Sequence, residues 1–274
     1  AQPETLADLG PDCTFTQAAA LKHFGHSIQM QSMSAISDVY CEVESGGSDY
    51  GVVPVENSTE GVISHTLDMF KKSPLSICGE VSLRINQNLM TKAESLDDIK
   101  IIYSLQQSLA HCRGWLDRHL RHDIERVAVS SNAEAAKMAA NDVNAAAIAG
   151  ENAAGLYDLD ILHRNIEDDP GNTTRFLIIG KQNVPPSGKD KTSFMMASKN
   201  EAGGLHALLS PLAAHGISMT RIESRPSRQG IWEYVFFIDI LGHQQDEDIQ
   251  KAFEELSDKA NLFKVLGSYP VAVL

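Results

Sequence analysis

Tyr50-Gly51-Val52-Val53-Pro54-Val55 is an unbroken apolar run that stops abruptly on the polar loop Glu56-Asn57-Ser58-Thr59-Glu60-Gly61. Continuous rather than alternating apolar character predicts a strand buried on both faces, as in a largely parallel sheet sandwiched between helices. A second segment reads the same way in reverse. The acidic, Pro-broken turn Glu167-Asp168-Asp169-Pro170 leads through Gly171-Asn172-Thr173-Thr174-Arg175-Phe176 into Leu177-Ile178-Ile179. Both place small hydroxyls, amides and, at Arg175, a guanidinium at the end of a buried strand, where a small anion can be held.

Working outward, residues 5 to 182 alternate short apolar runs with helical patterns. Strands are expected at Thr5–Leu9 (despite Asp8), Ile28–Met30, Leu75–Leu89, Ile99–Tyr103, Val127–Val129, Ala145–Ala149, Leu159–Leu162 and Arg175–Ile179. Helices are expected from Thr14, over Ser34–Glu44, over His65–Lys71, from Ser104 and over Ala133–Ala140. Leu105, Leu109, Cys112, Leu116 and Leu120 form one apolar helical stripe. Thr14/Gln17, Ser104/Gln107 and Ser131/Glu134 have capping-box spacing, each following a strand. In α/β folds ligands collect beyond strand carboxyl ends, where such helix N-termini can converge on an anion.

Pro185-Pro186-Ser187-Gly188-Lys189-Asp190-Lys191 has linker composition. Beyond it the pattern becomes strand Ser193–Ala197, helix Gly203–His215, strand Ile217–Glu223, strand Ile231–Ile240, helix Ile249–Leu256 and strand Leu262–Leu266. In Ile231–Ile240, residues Trp232, Tyr234, Phe236, Ile238 and Ile240 alternate onto one face. The order β-α-β-β-α-β is ferredoxin-like. It implies a sheet with one helix-covered face and edges able to pair with a second copy.

The bulk numbers exclude several classes. The chain has 274 residues, 43% of them hydrophobic and 22% charged, with a net charge of −13. That charge, without a basic run, argues against nucleic acid or an anionic membrane as partner. No apolar run approaches the ~18 residues of a membrane span, and nothing resembles an export signal. The four cysteines, Cys13, Cys41, Cys78 and Cys112, form no C-x-x-C and read as reduced thiols of a cytoplasmic protein. His111, Cys112, His119 and His122 match no familiar zinc spacing, so no metal is expected.

These motifs carry a resemblance along essentially the whole chain. Leu9-Gly10-Pro11 with Thr14-Phe15, Val53-Pro54-Val55-Glu56-Asn57-Ser58 with Gly61, Thr66-Leu67-Asp68, and Asn172 with Thr174-Arg175-Phe176 resemble prephenate dehydratases. Lys191-Thr192-Ser193, Asn200, Gly203 with Leu205-His206, Ile222-Glu223-Ser224-Arg225-Pro226, Trp232-Glu233-Tyr234, Gly242-His243 and Leu266-Gly267-Ser268-Tyr269-Pro270 resemble the ACT regulatory domain that follows. The resemblance implies an α/β, two-lobed periplasmic-binding-protein-like catalytic domain over 1–184 with a cleft between its lobes. It places a ferredoxin-like ACT domain over 191–274. The implied reaction converts prephenate to phenylpyruvate, carbon dioxide and water in phenylalanine synthesis, without cofactor.

It further implies that Thr174 donates a hydrogen bond to the departing hydroxyl and that Arg175 pairs a carboxylate. Asn57, Ser58 and Gln107 complete the catalytic set. Thr14, Glu56, Ser104, Asn172 and Phe176 are substrate-binding residues, with Phe176 packing beneath the site and Glu56 either holding the loop or touching substrate. Gln107 serves as both cap and site residue. L-phenylalanine, as feedback inhibitor, would be held by Asn200, Gly203, Gly204, Leu205, His206, Glu223, Ser224, Arg225 and Pro226 at the interface of a homodimer or homotetramer. A Glu223–Arg225 ion pair is the competing reading of that turn.

Some positions depart from the family. Asp8, Asp12 and Cys13 replace its usual tyrosine, glutamate and glycine, Leu105 replaces a histidine, and Gly204 replaces an alanine. If that histidine orients substrate, activity is reduced. The alternatives are an arogenate dehydratase, or a phenylalanine-binding relative impaired at Cys13 and Leu105. Many relatives carry a preceding chorismate mutase domain.

Overall fold

The computed structural model describes residues 4–11, 14–198, 200–227 and 233–273. Asp12, Cys13, Ile231 and Trp232 lie outside them. The chain begins with β1 (Thr5–Leu9), α1 (Phe15–Phe24), β2 (Gln29–Met33), α2 (Ile36–Ser45), β3 (Tyr50–Asn57), β4 (Gly61–Val62), α3 (Ser64–Phe70) and β5 (Ser76–Arg84). It continues with β6 (Asn88–Thr91), β7 (Ile101–Ser104), α4 (Gln106–His111), α5 (Arg113–His119), β8 (Glu125–Ala128) and α6 (Asn132–Ala140). Then come β9 (Ala145–Ala149), α7 (Glu151–Tyr157), β10 (Asp160–His163) and β11 (Thr173–Gly180). The last elements are β12 (Asp190–Ser198), α8 (Gly204–Ala214), β13 (Met219–Pro226), β14 (Tyr234–Leu241), α9 (Glu247–Lys259) and β15 (Leu262–Pro270).

One sheet runs β2-β1-β3-β11-β5, with β4 beside β3, and a second runs β10-β6-β9-β7-β8. The chain leaves the first sheet after β5 and returns to it at β11. Two α/β sheets linked by two chain crossings are the periplasmic-binding-protein-like architecture. A third sheet, β13-β14-β12-β15, is antiparallel and closes the ferredoxin-like unit.

Packing divides the chain into two compact units. One comprises Ala1–Ala35, Glu56–Gly61 and Ser82–Arg175; the other comprises Ile36–Val55, Val62–Val81 and Phe176–Leu274. In the first unit β9 explains the packing of its sheet. Every residue of Ala145–Ala149 is buried. Ala146 and Ile148 face a core with Leu109, Cys112, Leu116 and Leu120, and Ala145, Ala147 and Ala149 face Ala135, Ala136 and Ala139 of α6. Small side chains on that second face let the helix approach closely.

Two expectations are corrected in this unit. The long strand expected over Leu75–Leu89 is not one strand: it breaks at residues 85–87 into β5 and β6, which belong to different sheets. Gln87 and Asn88 are buried at the break, the Gln87 amide donating to Glu167 and the Asn88 side chain to the Ala149 carbonyl. The long helix after Ser104 is also two, α4 and α5, parted at Cys112, whose ψ of 5° is not helical. The apolar stripe survives the break except at Leu105, which stands outside the core cluster.

In the second unit Phe194, Met196, Ile238 and Ile240 pack beneath Leu208 and Leu212 of α8 and Ile249 and Phe253 of α9. On the face away from the helices, Val235, Phe237 and Tyr269 are buried too. Residues 70–80 cover it. Lys264 donates to the Phe70 and Ser73 carbonyls, Lys191 pairs with Glu80 at 3.0 Å, and Gly267 lies against the Ile77 backbone. A Cβ at Gly267 would stand 2.3 Å from the Ile77 oxygen, so only glycine fits there. The Pro185–Lys191 linker is ordered at its end: the Asp190 carboxylate accepts from the Ser187 and Gly188 amides.

Candidate active site

The site is best built from Asn57, at the end of β3 in the first unit. Its Oδ1 accepts three bonds from the turn that follows: Thr59 N at 2.9 Å, Thr59 Oγ1 at 2.7 Å and Glu60 N at 3.1 Å. These donors fix the amide orientation and leave Nδ2 to donate outward. It donates to Asn172 Oδ1 at 2.9 Å and to Thr174 Oγ1 at 2.8 Å. Backbone ties hold the strand ends together: Ser58 N donates to Thr173 O, and Thr173 N donates to Ser58 Oγ, both at 2.9 Å. Asn172 and Thr174 are buried.

Thr174 therefore has one hydroxyl lone pair filled by an amide. Its own proton is thereby left to donate to a group other than Asn57. An amide-pinned hydroxyl of this kind is a prearranged hydrogen-bond donor for charge developing on a neighbouring oxygen. The web is built of neutral groups, which suits the chain's strong net negative charge.

The other expected residues fall into distinct places. Thr14 caps α1, accepting from Gln17 N at 3.3 Å and donating to the Leu9 carbonyl at 3.1 Å. Phe176 is buried in the core. Arg175 follows Thr174 on β11, so the alternation of a strand turns it to the opposite face; it is engaged in polar contacts of its own, as is Glu56. Ser104 is fully buried, its hydroxyl lying 2.7 Å from the Ile148 carbonyl and 2.9 Å from Asn132 Oδ1.

The Ser104/Gln107 capping box does not form. Leu105 occupies the cap position of α4, and its N–H donates 3.1 Å to Asn132 Oδ1. Asn132 thus holds, from α6, the backbone where the family usually has a histidine. Gln107 instead reaches across to Glu60, whose carboxylate also meets His111 Nε2 at 3.2 Å. The Ser131 box forms by half: Ser131 accepts from Glu134 N, but the Glu134 carboxylate turns to Ser130. Thr59, Glu60, His111 and Asn132 were missed by sequence reasoning. Glu60 could have been noticed, because it sits three residues after Asn57 in the same polar loop.

Cys112 is buried among apolar side chains rather than presented as a ligand. Burial, with the nearby charges of Glu167 and Asp168, pushes its thiol up to about 12.

In the second unit a cavity of about 280 Å³ is lined by Ser198, Asn200, Glu201, Gly203–His206, Tyr234 and Phe236. Gly203, at φ 78°, opens α8 with no side-chain cap. Asn200 and the glycine loop are brought together as expected; Tyr234 and Phe236 are additions. Glu223, Ser224, Arg225 and Pro226 lie on β13 and do not line this cavity. Arg225 does not pair with Glu223. It makes a bidentate contact with Asp68 of α3, at 2.8 and 3.1 Å, while Lys71 adds 3.0 Å to Asp68 and 2.7 Å to the Pro226 carbonyl. The Arg225 guanidinium holds the Asp68 carboxyl down at about 2. Glu223 stands 3.9 Å from Arg221.

A binding-protein-like α/β domain with a hydroxyl–amide web, followed by a ferredoxin-like module, defines an enzyme with an appended small-molecule sensor. Comparison with known proteins makes this specific. Family models match residues 6–184 as prephenate dehydratase and residues 194–258 as ACT domain. The bifunctional chorismate mutase/prephenate dehydratase of Pseudomonas aeruginosa is 56% identical over all of this chain, which spans 75% of that relative. A prephenate dehydratase of Arthrobacter aurescens solved in complex with L-Phe superposes with a TM-score of 0.88 at 31% identity, covering 97% of this chain and 90% of its own. GqqA, described as a novel type of quorum quenching acylase, has the same TM-score at 26% identity and covers 98% of both chains. The chain belongs to the prephenate dehydratase family, with a C-terminal ACT domain. None of the helices among the described residues is long and apolar enough to cross a membrane.

Proposed function

We propose that Thr174 is the hydrogen-bond donor to the departing ring hydroxyl of prephenate, in a decarboxylating dehydration that yields phenylpyruvate. As the ring carboxylate leaves as carbon dioxide, its bonding electrons enter the ring and the hydroxyl departs. One proton is taken up to release that hydroxyl as water, and aromatisation drives the reaction. The protein's task is to stabilise charge on the departing oxygen and to hold a dianion. The observation that carries this reading is the 2.8 Å bond from Asn57 Nδ2 to Thr174 Oγ1, which makes the hydroxyl an acceptor toward Asn57 and leaves its proton to be donated elsewhere. Asn57, Asn172 and Ser58 act around it. Arg175, turned to the other face of β11 and engaged there, is given no part in this reading.

L-phenylalanine is the proposed effector. The Gly203 amide suits its carboxylate, Glu201 its ammonium, and Leu205, Tyr234 and Phe236 its ring. The L-Phe complex of the Arthrobacter relative supports this reading. In the proposed homo-oligomer, a cytoplasmic enzyme, Glu223 and Ser224 face the cavity from a second copy. Arg225 is committed to Asp68 instead.

The test is prephenate turnover with and without phenylalanine. Thr174→Ala should lower kcat by about 10³-fold, and Thr174→Ser should recover part of it. Wild-type turnover unaffected by Thr174→Ala would reject the assignment. Kinetics unchanged by phenylalanine would reject the effector.

A further inference from the structure

We infer that Glu60 is a positioning residue for the dehydration: it clamps the Asn57–Gly61 turn to helix α4, and through that turn sets the Asn57–Thr174 contact. The inference rests on Thr174 being the hydroxyl donor.

The geometry forms one continuous chain inside a single packing unit. Gln107 and His111 are four residues apart and therefore share a face of α4. Both reach the Glu60 carboxylate, Gln107 Nε2 at Oε2 and His111 Nε2 at Oε1. The Glu60 N–H donates to Asn57 Oδ1, and Asn57 Nδ2 donates to Thr174 Oγ1. Four links thus run from a helix to the reacting hydroxyl. The intermediate turn, residues 58–60, is exposed and carries no apolar side chain of its own.

Glu60 is itself 44% exposed, and His111 is 22% exposed. An exposed ion pair contributes little to global stability. Its worth lies in where it holds the turn, because the turn amides orient Asn57 and the amide orients Thr174. The base of α4 is itself held: Ser108 Oγ accepts from both Asn132 Nδ2 at 3.1 Å and Gln87 Nε2 at 3.2 Å. The clamp therefore ties the turn to a helix fixed by two buried amides.

His111 has a second setting. With Thr59, Glu167, Asp168, Asp169 and Asn172 it lines a cavity of about 220 Å³. Asp168 is occupied at the start of α5, accepting from the Gly114 and Trp115 amides, and Asp169 accepts from Gly171 N. Glu60 is the carboxylate that His111 reaches as an ion-pair partner.

The experiment is a double-mutant cycle with Glu60→Ala and His111→Ala, each read by steady-state prephenate kinetics and thermal melting. Glu60→Ala should lower kcat by about 10- to 100-fold, the scale of a misplacement of about 1 Å, with KM within about threefold. The melting temperature should stay within a few degrees. Glu60→Gln, which keeps an acceptor at the same reach, should recover most of kcat. The double mutant should be no worse than Glu60→Ala, since both changes cut the same link. A KM increase at unchanged kcat would make Glu60 a substrate contact and overturn the inference, as would additive effects of the two changes. Wild-type kcat in Glu60→Ala would also overturn it. If Glu60→Ala melts early, His111→Ala and Glu60→Gln carry the same comparison. Failure of the underlying assignment is separate, because it appears as activity retained by Thr174→Ala.

Discussion

The web around Asn57 and the lock around Asp68 solve similar problems with opposite chemistry. At Asn57, five hydrogen bonds meet on one neutral amide, and every other group in the web is an amide, a hydroxyl or a backbone N–H. At Asp68, a guanidinium and an ammonium converge on one carboxylate. Under the proposed assignment, a site that receives a dianion gains from donors that bring no negative charge of their own. A contact that only has to hold two segments together can use full charges. The comparison teaches that net charge is less informative than the charge of the groups that touch.

The first way to break that comparison is to put charge into the neutral web. Asn57→Asp replaces the donor to Thr174 with an acceptor that would take the hydroxyl proton for itself. It should lower kcat by about 10²- to 10³-fold, in line with losing one oriented donor. Stopped-time assays of prephenate consumption measure it, and a kcat within threefold of wild type would show that Thr174 does not depend on Asn57.

A smaller effect is expected where packing replaces both kinds of contact. Gly267→Ala would press a methyl group onto the Ile77 backbone. Overpacking of this kind costs about 1–3 kcal/mol, and a positive φ of 149° adds strain. Urea denaturation should show a lower midpoint with an unchanged slope.

The smallest effect sharpens the charged side. Asp68 is held near 2, below its ordinary 3.8. Its folded pKa is depressed, so its contribution is present above about pH 4 and is lost as pH falls through about 2. The shift corresponds to about 2 kcal/mol. The stability gap between wild type and Asp68→Asn should therefore be full at pH 5 and close by pH 2. A gap that is constant with pH would mean that packing, not charge, holds Arg225.

Much of the architecture was legible along the chain. The β12–β15 unit follows from strand alternation and helix spacing, and the neutral residues of the web were recognisable at Asn57, Asn172 and Thr174. The failures have a common physical origin. Leu75–Leu89 reads as one strand although Asn86-Gln87-Asn88 interrupts it; that polar run marks the crossing between sheets, and its partners, Glu167 and the Ala149 carbonyl, lie far along the chain. The Ser104/Gln107 spacing satisfies a local rule, but a buried asparagine 27 residues further on takes the Leu105 N–H instead. The Arg225–Asp68 contact joins residues 157 apart, and nothing near either residue in the sequence announces it.

Amino-acid order by itself determined the class of most elements and the family, because these depend on periodicity and on motifs within a few residues. Tertiary structure alone decided which polar groups meet: Asn57 with Thr174, Glu60 with Gln107 and His111, and Asp68 with Arg225. Those partners are 47 to 157 residues apart. A side chain's hydrogen-bonding capacity is written in its type, but the choice among many possible partners is made only when the backbone brings one within about 3 Å.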